Sequence, residues 1–288
     1  MTPRLSVVLP VRNGGPLLLR QVLALLHQES PPSYEVIVVD NLSTDGSPEA
    51  ARRLVEEFEP GSSRFVYVKA SMRPSLGYAR NVGAASSTAP AIAFCDQDDV
   101  VGPGWVQAHE RAASLHSIWV GRIESRVLNA RATAAVAQGS YAAFPVLGYR
   151  PSVAGSNFGM RLDLFHEAGG FDEAIPSCED IEMSWRVQRL GHKIGYAGDA
   201  VVLRQFRDTH ISVYNQGVWY GRGQAWLFAR YRTSGMPRGG SADAWHRIRR
   251  NGLGVLRPGH SESRLDSVHC LGLILGRLAE VPRTRVWY

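Results

Sequence analysis

The sequence predicts an α/β protein with a mostly parallel β-sheet that helices cover on both faces. Short apolar runs alternate with segments whose apolar residues recur at helical spacing. The apolar runs are continuous rather than alternating with polar residues, which is typical of parallel strands buried on both faces. Hydrophobic residues make up 44% of the 288 residues, so the chain can bury a substantial core.

Strands and helices alternate over the first hundred residues. The predicted strands, in order, are 5–11, 35–40, 65–68 and 91–95. The predicted helices between them are 16–28, a second that opens at Asp45-Gly46-Ser47-Pro48, and 78–85. Pro48 near the start of the second helix and apolar Leu54, Val55 and Phe58 along it support that assignment.

The pattern changes after Asp99. Helices are expected at 105–115, 162–168 and 181–190, strand-like segments at 117–128 and 200–203, and a long structured loop at 138–157. An aromatic-rich helix is expected at 211–232, broken by Gly221 and Gly223. The basic tail, 233–288, contains an apolar stretch at 268–279 that predicts a packing helix rather than a membrane anchor.

The positive charge comes almost entirely from arginine. The formal net charge is +6, and Lys69 and Lys193 are the only lysines. Arginine suits bidentate contacts with phosphate, although a coding bias toward arginine explains the same composition. The arginines are spread along the chain and no compact nucleic-acid motif occurs, so a nucleic-acid partner is not expected.

The cysteines and the apolar runs point to a reduced, non-spanning protein. Cys95, Cys178 and Cys270 are far apart, which indicates neither a zinc cluster nor a disulfide framework. No run of eighteen apolar residues occurs, and the N-terminus leads directly into a strand rather than a signal peptide. A cytoplasmic location is expected, with peripheral contact at the inner face of the membrane through the C-terminal region as an open alternative.

Acidic residues follow the fourth strand directly, as Asp96-Gln97-Asp98 and then Asp99. Ligands of α/β sheets bind beyond the carboxyl ends of the strands. Two carboxylates in this position suit a hard divalent cation that is also held by phosphate. The alternative is a solvated acidic turn.

Asp40 ends the second strand in the same way. It can accept hydrogen bonds from a base or a ribose, or it can cap the next helix, for which Asp45 is the better candidate. The first strand is not followed by Gly-x-Gly-x-x-Gly, and the chain has no Gly-x-x-x-x-Gly-Lys-Ser/Thr, which argues against a dinucleotide-dependent dehydrogenase and a P-loop NTPase.

Two further charged groups are candidates for the site. Arg80, on a short predicted helix, can reach a diphosphate or fix a loop by pairing with an acid. Glu179 and Asp180 lie at a predicted helix start, where the helix dipole favours ionised carboxylates, and the alternative is simple capping.

These segments, in order, resemble glycosyltransferase family 2, whose members have the GT-A fold. The matching segments are Val7-Val8-Leu9-Pro10-Val11-Arg12-Asn13, Val38-Val39-Asp40-Asn41, Ala79-Arg80-Asn81-Val82-Gly83, Phe94-Cys95-Asp96-Gln97-Asp98-Asp99, Gly155-Ser156-Asn157, Gly169-Gly170-Phe171-Asp172 and Glu179-Asp180. They cover roughly residues 4–225. The resemblance implies a Rossmann-like nucleotide-sugar-binding half (1–99), an acceptor-binding and catalytic half (100–210) and a helical C-terminal extension (211–288).

The resemblance also implies the role of each residue. Nucleotide and donor binding is assigned to Pro10, Val11, Arg12, Asn13, Asp40, Arg80, Asp96, Gln97 and Asp98. Asp98 is the expected ligand of Mg2+ or Mn2+. Gly155, Ser156, Asn157 and Trp219 are expected to border the donor sugar and acceptor. Asp180 matches the general base of an inverting displacement, with Glu179 beside it.

One position departs from the family pattern. Where members often carry a metal-binding histidine after the strand at 200–203, this chain has Arg204. An arginine cannot ligate a cation, but Arg204 or Arg207 can neutralise a diphosphate. Ordinary salt bridges are the alternative role for the arginines, and His210 is the alternative metal ligand.

The implied substrates are a nucleoside-diphosphate sugar, with UDP favoured, and a hydroxyl acceptor that is a small molecule, a glycan or lipid-linked. Two alternatives remain open: a catalytically silent relative that binds nucleotide sugar, and a metal-dependent nucleotidyltransferase.

Overall fold

A computed structural model describes residues 2–58, 63–125, 127–129, 145–207, 209–239 and 261–288, together with residues 242, 245, 246, 248 and 249. The first part of the loop predicted at 138–157, residues 138–144, lies outside the described residues. So does most of the segment from 240 to 260.

The described part of the chain forms one sheet of eight strands. They are β1 (Leu5–Val11), β2 (Tyr34–Asp40), β3 (Ser63–Lys69), β4 (Ala91–Cys95), β5 (Val100–Val101), β6 (Ile118–Glu124), β7 (Asn157–Arg161) and β8 (Ile194–Leu203). Their spatial order is β3-β2-β1-β4-β7-β6-β8-β5. The first four are parallel, β7 is antiparallel to both its neighbours, β6 is parallel to β8, and β5 is antiparallel to β8.

Helices connect and cover the strands. They are α1 (Gly15–Leu26), α2 (Ser47–Phe58), α3 (Leu76–Ala85), α4 (Trp105–Leu115), α5 (Leu162–Glu167), α6 (Glu179–Arg189), α7 (His210–Tyr231) and α8 (Ser261–Thr284). The predicted α/β fold with a mostly parallel sheet and C-terminal helices is therefore confirmed. The predicted strands missed the two-residue β5 and all of β7, since neither carries a long apolar run, and they missed residues 194–199 of β8.

Both faces of the sheet are buried, as the continuous apolar strands predicted. One face of β1, including Leu5 and Leu9, packs with apolar residues of α1, α2 and α4. The other face, including Val8, packs with apolar residues of α3, α5 and α6. The sheet is thus held between two helical layers, and its strand ends form the exposed edge where loops gather.

The prediction that Gly221 and Gly223 break the helix at 211–232 is wrong, because α7 is continuous from His210 to Tyr231. Its glycines are contact points. A Cβ at Gly217 or Gly221 would overlap backbone of α8, and a Cβ at Gly272 or Gly276 would overlap backbone of α7. The two helices therefore approach backbone to backbone along reciprocal glycine pairs spaced by four residues.

Two smaller features complete the fold. Cys95, Cys178 and Cys270 are all buried free thiols, which agrees with the absence of a predicted disulfide. None of the helices in the described ranges has the length and apolarity needed to cross a bilayer.

Candidate active site

The candidate site lies at the carboxyl ends of the parallel strands. Asp40 ends β2, and Asp96-Gln97-Asp98 follows β4, which is separated from β2 only by β1. The loops after β1, β2 and β4 therefore open at the same edge of the sheet, where α/β proteins bind ligands. Gln21 of α1, which is fully buried, fixes the acidic turn by donating to Asp96 O (3.1 Å) and accepting from Val101 N–H (3.0 Å).

Side-chain amides fasten the loop after β1 to its neighbours. Gln97 pairs with the backbone of Arg12, accepting from its N–H (2.8 Å) and donating to its carbonyl (3.0 Å). Asn13, at φ 52°, accepts from Thr44 N–H (2.8 Å). Asp40 accepts from Ser43 N–H (2.9 Å). The expected nucleotide pocket is thus a set of interlocked loops.

The residues expected to bind the nucleotide differ in how exposed they are. Arg12 and Asn13 are exposed, whereas Pro10 and Val11 are buried in β1, so only the backbone of the latter pair can border a ligand. Gln97 uses its amide on Arg12 and serves to position the loop. Asp45 caps the next segment, accepting from Ser47 N–H (3.0 Å).

Arg80 links the two sides of the site. Its side chain is 1% exposed, and its guanidinium donates to Glu179 Oε1 (2.5 Å), Asp96 Oδ1 (2.9 Å) and Gly155 O (2.9 Å). The expectation that Arg80 contacts the diphosphate does not fit this geometry, because the guanidinium is enclosed by protein acceptors. It corresponds to the alternative, an arginine that fixes loops by pairing with acids.

The acidic pair starts α6. Cys178, just before it, has φ 63° and ψ 27°, and no side chain caps the helix. Asp180 is held in place by N–H groups, with Oδ2 accepting from Gly155 (2.7 Å) and Oδ1 from Ile181 (2.8 Å). Each carboxylate oxygen has two lone pairs, so both can accept one further hydrogen bond.

Glu179 and Asp180 have different surroundings. Glu179 is 3% exposed and committed to Arg80, so it serves the site through that arginine rather than by touching a substrate. Asp180 is half-buried and can be reached. Burial raises the pKa of Asp180, and the charge of Arg80 together with the two N–H bonds opposes that rise.

Asp98 lies in an electrostatic setting that suits a cation. Burial raises the pKa of Asp98 and the charge of Asp96 adds to the rise, while Arg207 and Arg204 oppose it. Two hard carboxylates that repel each other fit a Mg2+ or Mn2+ site. Among the described residues no group of three potential protein ligands forms, so such an ion would take most of its ligands from substrate and water.

Arg204 lies next to this acidic turn. It donates to Ser156 Oγ and its Nε is 3.9 Å from Asp99 Oδ2, while Asp99 also accepts from Gln205 N–H (3.1 Å). Burial raises the pKa of Asp99 to about 7, and Arg204 opposes the rise. Asp99, to which no role had been assigned, therefore connects the segment after β8 to the acidic turn.

Asn157 does not border the sugar as expected. It is fully buried, its Oδ1 accepts from Trp105 Nε1–H (2.8 Å) and His109 Nε2–H (3.1 Å), and its Nδ2 donates to the carbonyls of Arg122 and Ala200 (2.8 Å each). Its hydrogen-bonding groups are thus occupied inside the fold. Ser156, at 1% exposure, is also enclosed, so this segment contributes mainly the backbone of Gly155 to the site.

Two aromatic residues of α7 lie beside the acidic pair. Trp219 is half-buried and stacks on Tyr220, with ring centroids 5.6 Å apart. Burial raises the pKa of Tyr220, and the nearby charges that act on it include Arg204, Asp180 and Asp96. From the sequence, Tyr220 was expected, like Trp219, to be either a residue that stacks on a sugar or part of the core. Ser177, whose Oγ donates to the carbonyl of Trp219, was not predicted.

Comparison with known proteins finds glycosyltransferases among the proteins similar to this chain. The model of the glycosyl transferase family 2 matches residues 6–127. Glycosyltransferase AglE of Haloferax volcanii is 25% identical over 79% of this chain and 76% of its own length. The pre-mycofactocin glycosyltransferase of Mycobacterium tuberculosis is 27% identical over 83% of this chain, which spans 51% of that protein.

Solved structures share the fold. The mannosyltransferase PcManGT from Pyrobaculum calidifontis, in complex with GDP-Man and Mn2+, has a TM-score of 0.69 at 17% identity and covers 96% of this chain and 88% of its own. Residues 1–349 of Staphylococcus aureus TarS, in complex with UDP-GlcNAc, have a TM-score of 0.57 at 16% identity, covering 99% and 93%.

The fold and the site define a glycosyltransferase that transfers a sugar from a nucleotide sugar. The mostly parallel sheet with its C-terminal helices matches the GT-A fold. The match to the glycosyl transferase family 2 covers residues 6–127, the segment that contains Asp40, Arg80 and Asp98.

Proposed function

We propose that this chain is an inverting, metal-assisted glycosyltransferase with Asp180 as the general base. The observation that carries the proposal is the bridge through Arg80, which binds Asp96 on one side and Glu179 on the other. One buried guanidinium thereby holds the loop of Asp98 beside the helix that begins with Glu179 and Asp180. A donor bound there would lie near Asp98, and an acceptor bound there would lie near Asp180.

The chemical step follows from these positions. Asp180 takes the proton of the acceptor hydroxyl as that oxygen forms a bond to the anomeric carbon. The bond from this carbon to the diphosphate oxygen breaks, and its electron pair leaves with the nucleoside diphosphate. A single displacement of this kind inverts the anomeric centre.

Asp98, with Asp96 beside it, would hold Mg2+ or Mn2+, whose charge stabilises the departing diphosphate. Arg204 and Arg207 both act on the charge of Asp98. Their positive charges would supplement the cation at the leaving group, in the position where other members carry a histidine. PcManGT, with a related fold, was crystallised with Mn2+.

The donor is a nucleoside-diphosphate sugar. The related structures contain GDP-Man and UDP-GlcNAc, so guanosine and uridine are the two bases to compare, with uridine favoured by the family resemblance. The exposed loop residues Arg12 and Asn13, together with Asp40, would contact the nucleoside. Trp219 offers an aromatic face on the acceptor side.

Replacing the base tests the assignment. Asp180→Asn should lower kcat at least about 100-fold, because general base catalysis contributes about 10²–10⁴-fold, while the Kd for UDP or GDP with Mn2+ changes little. Nucleoside diphosphate release and isothermal titration calorimetry measure the two quantities. Asp163→Asn, an exposed first-turn acid of α5, is the control and should keep wild-type turnover. Wild-type turnover in Asp180→Asn would refute the assignment.

A further inference from the structure

The turn before the catalytic helix has an unfavourable backbone conformation. Cys178 adopts φ 63°, which non-glycine residues rarely adopt. This conformation costs energy and persists only where the surrounding structure holds it. No side chain caps α6 at this point. The residues that follow are Glu179 and Asp180, so the conformation of this turn sets the direction of both carboxylates.

Helix α7 supplies the support on one side of the turn. Ser177, fully buried, donates through Oγ to the carbonyl of Trp219 (2.6 Å), and Cys178 Sγ lies 3.9 Å from the carbonyl of Tyr220. A Cβ at Gly223 would overlap both the carbonyl oxygen and Oγ of Ser177. The backbone of α7 therefore rests directly on the turn.

Helix α8 holds α7 from another side. Backbone-to-backbone contacts at Gly217 and Gly221 leave no room for α7 to move toward α8. Any side chain added at Gly223 would therefore have to displace the turn, since α7 itself is confined.

We propose that α7 is a positioning element for the general base, acting through Gly223 and Ser177 on the left-handed turn at Cys178. The proposal deepens the assignment of Asp180 as the base and rests on it. Neither Gly223 nor Ser177 touches the reacting atoms. Their effect is to keep Asp180 at the distance from Gly155 that leaves its carboxylate aimed at an acceptor.

The test compares two glycine substitutions, one in α7 and one away from it. Gly223→Ala pushes on the catalytic turn, whereas Gly195→Ala, in β8, produces an overlap with the ring of His116. Both should lower Tm. At a temperature well below both Tm values, Gly223→Ala should lower kcat for nucleoside diphosphate release at least about tenfold. Gly195→Ala should keep kcat within about threefold of wild type.

Donor binding separates positioning from general damage. The Kd for UDP or GDP with Mn2+ should stay within about threefold of wild type in both variants, because the nucleotide loops lie on β1, β2 and β4. Equal kcat in Gly223→Ala and wild type, or equal losses in the two glycine variants, would overturn the proposal.

A second variant covers the case in which Gly223→Ala does not fold. Ser177→Ala removes the hydrogen bond to Trp219 without adding an atom, and it should lower kcat about threefold to tenfold with the nucleotide Kd unchanged. Unchanged kcat would overturn the proposal by itself. If the assignment of Asp180 as the general base is itself wrong, Asp180→Asn will retain turnover. That result does not depend on the Ser177 and Gly223 variants, so the two failures can be told apart.

Discussion

At the scale of single residues, the site depends on buried polar groups that join segments far apart in sequence. Arg80 and Glu179 are 99 residues apart, and Asn157 joins α4 to the carbonyls of two other strands. Leaving a buried charge or polar group unpaired is costly. The segments that supply partners to Arg80 and Asn157 are therefore held in place together. Asp180, the proposed base, is half-buried, whereas Glu179 and Arg80 beside it are buried.

Arg80→Lys tests whether geometry or charge matters at this position. Lysine keeps the positive charge but cannot place donors on Glu179, Asp96 and Gly155 together. We expect kcat to fall at least about 100-fold and the free energy of unfolding to fall by roughly 3 kcal/mol, the lower range for breaking a buried pair. Turnover and denaturant unfolding measure the two effects.

Arg73→Lys is the control for that substitution. Arg73 pairs with Glu173 but its side chain is 49% exposed, and exposed pairs contribute about 0–1 kcal/mol. The variant should match wild type in turnover and stability. Similar losses in Arg73→Lys and Arg80→Lys would contradict the bridging role of Arg80.

His109 should make stability depend on pH. Burial lowers the pKa of His109 to about 3 from its ordinary 6.5, while Trp119 Nε1–H donates to its Nδ1 (2.9 Å). Because the folded-state pKa is depressed, the unfolded chain binds the proton more readily below pH 6.5. The stability that the neutral ring contributes is therefore present above pH 6.5 and is lost as the pH falls toward 3.

His109→Gln keeps one donor and one acceptor but cannot titrate. The stability difference between wild type and this variant should shrink by a few kcal/mol between pH 7 and pH 4, since one pKa unit corresponds to about 1.4 kcal/mol. Denaturant unfolding at each pH measures it, and shared effects of the raised pKa at Asp99 cancel in the difference. A difference that stays constant with pH would exclude His109 as the titrating group.

At the scale of elements, the sequence predicted most of the fold but not the contacts between elements. The strands that lead to Asp40 and Asp96 contain the continuous apolar runs 36–39 and 91–95, which local pattern identifies. Gly221 and Gly223 predicted a broken helix because local propensity disfavours glycine. Gly221 contacts α8, some fifty residues further along the chain, whereas Gly223 contacts Ser177, which lies well before it, and no local pattern contains either contact.

The same limit applies to the candidate site. Strand-end position identified Asp40, Asp96 and Asp98 as candidates, since the carboxyl end of a parallel strand is a property of the sequence order. The direction of a side chain does not follow from the sequence order, which is why Asn157 was expected at the sugar but lies in the core. The resemblance to a family supplied residue roles, whereas the enclosure of Arg80 required the structure.

Gly276→Ala tests the tight contact between α7 and α8. A Cβ at Gly276 would overlap the carbonyl of Val218, so the helices must separate. Overpacking of this kind costs about 1–3 kcal/mol, which exceeds the gain of up to about 1 kcal/mol from replacing glycine in a helix. We expect a lower Tm by thermal unfolding. Asn215→Ala, at an exposed position inside α7, is the control and should not lower Tm.

At the scale of the whole molecule, one sheet carries the nucleotide loops and the acceptor-side elements. β4 is the last parallel strand of the first group, and its antiparallel neighbour β7 begins just after Gly155 and Ser156. The acidic turn at the end of β4 therefore lies directly beside the segment that binds Asp180 and Arg80. The position of the site follows from where the sheet changes from parallel to antiparallel pairing.

This arrangement predicts that nucleotide and metal stabilise the folded chain together. A ligand that binds only the folded state at 100 times its Kd adds about 2.7 kcal/mol, which raises Tm by roughly 5–10 °C for a protein of about this size. UDP or GDP with Mn2+ should produce such a rise, and chelation of the metal should remove most of it.

Asp98→Asn should lose the Mn2+-dependent part of the rise while keeping the fold, because its neighbours Asp96 and Asp99 are held by Arg80 and by Gln205 N–H. Thermal shift measurements of wild type and Asp98→Asn, each with nucleotide plus Mn2+ or nucleotide plus chelator, give the four values needed. Equal shifts in the two proteins would mean that Asp98 does not hold the metal, and equal shifts with metal and with chelator would mean that the nucleotide binds without it.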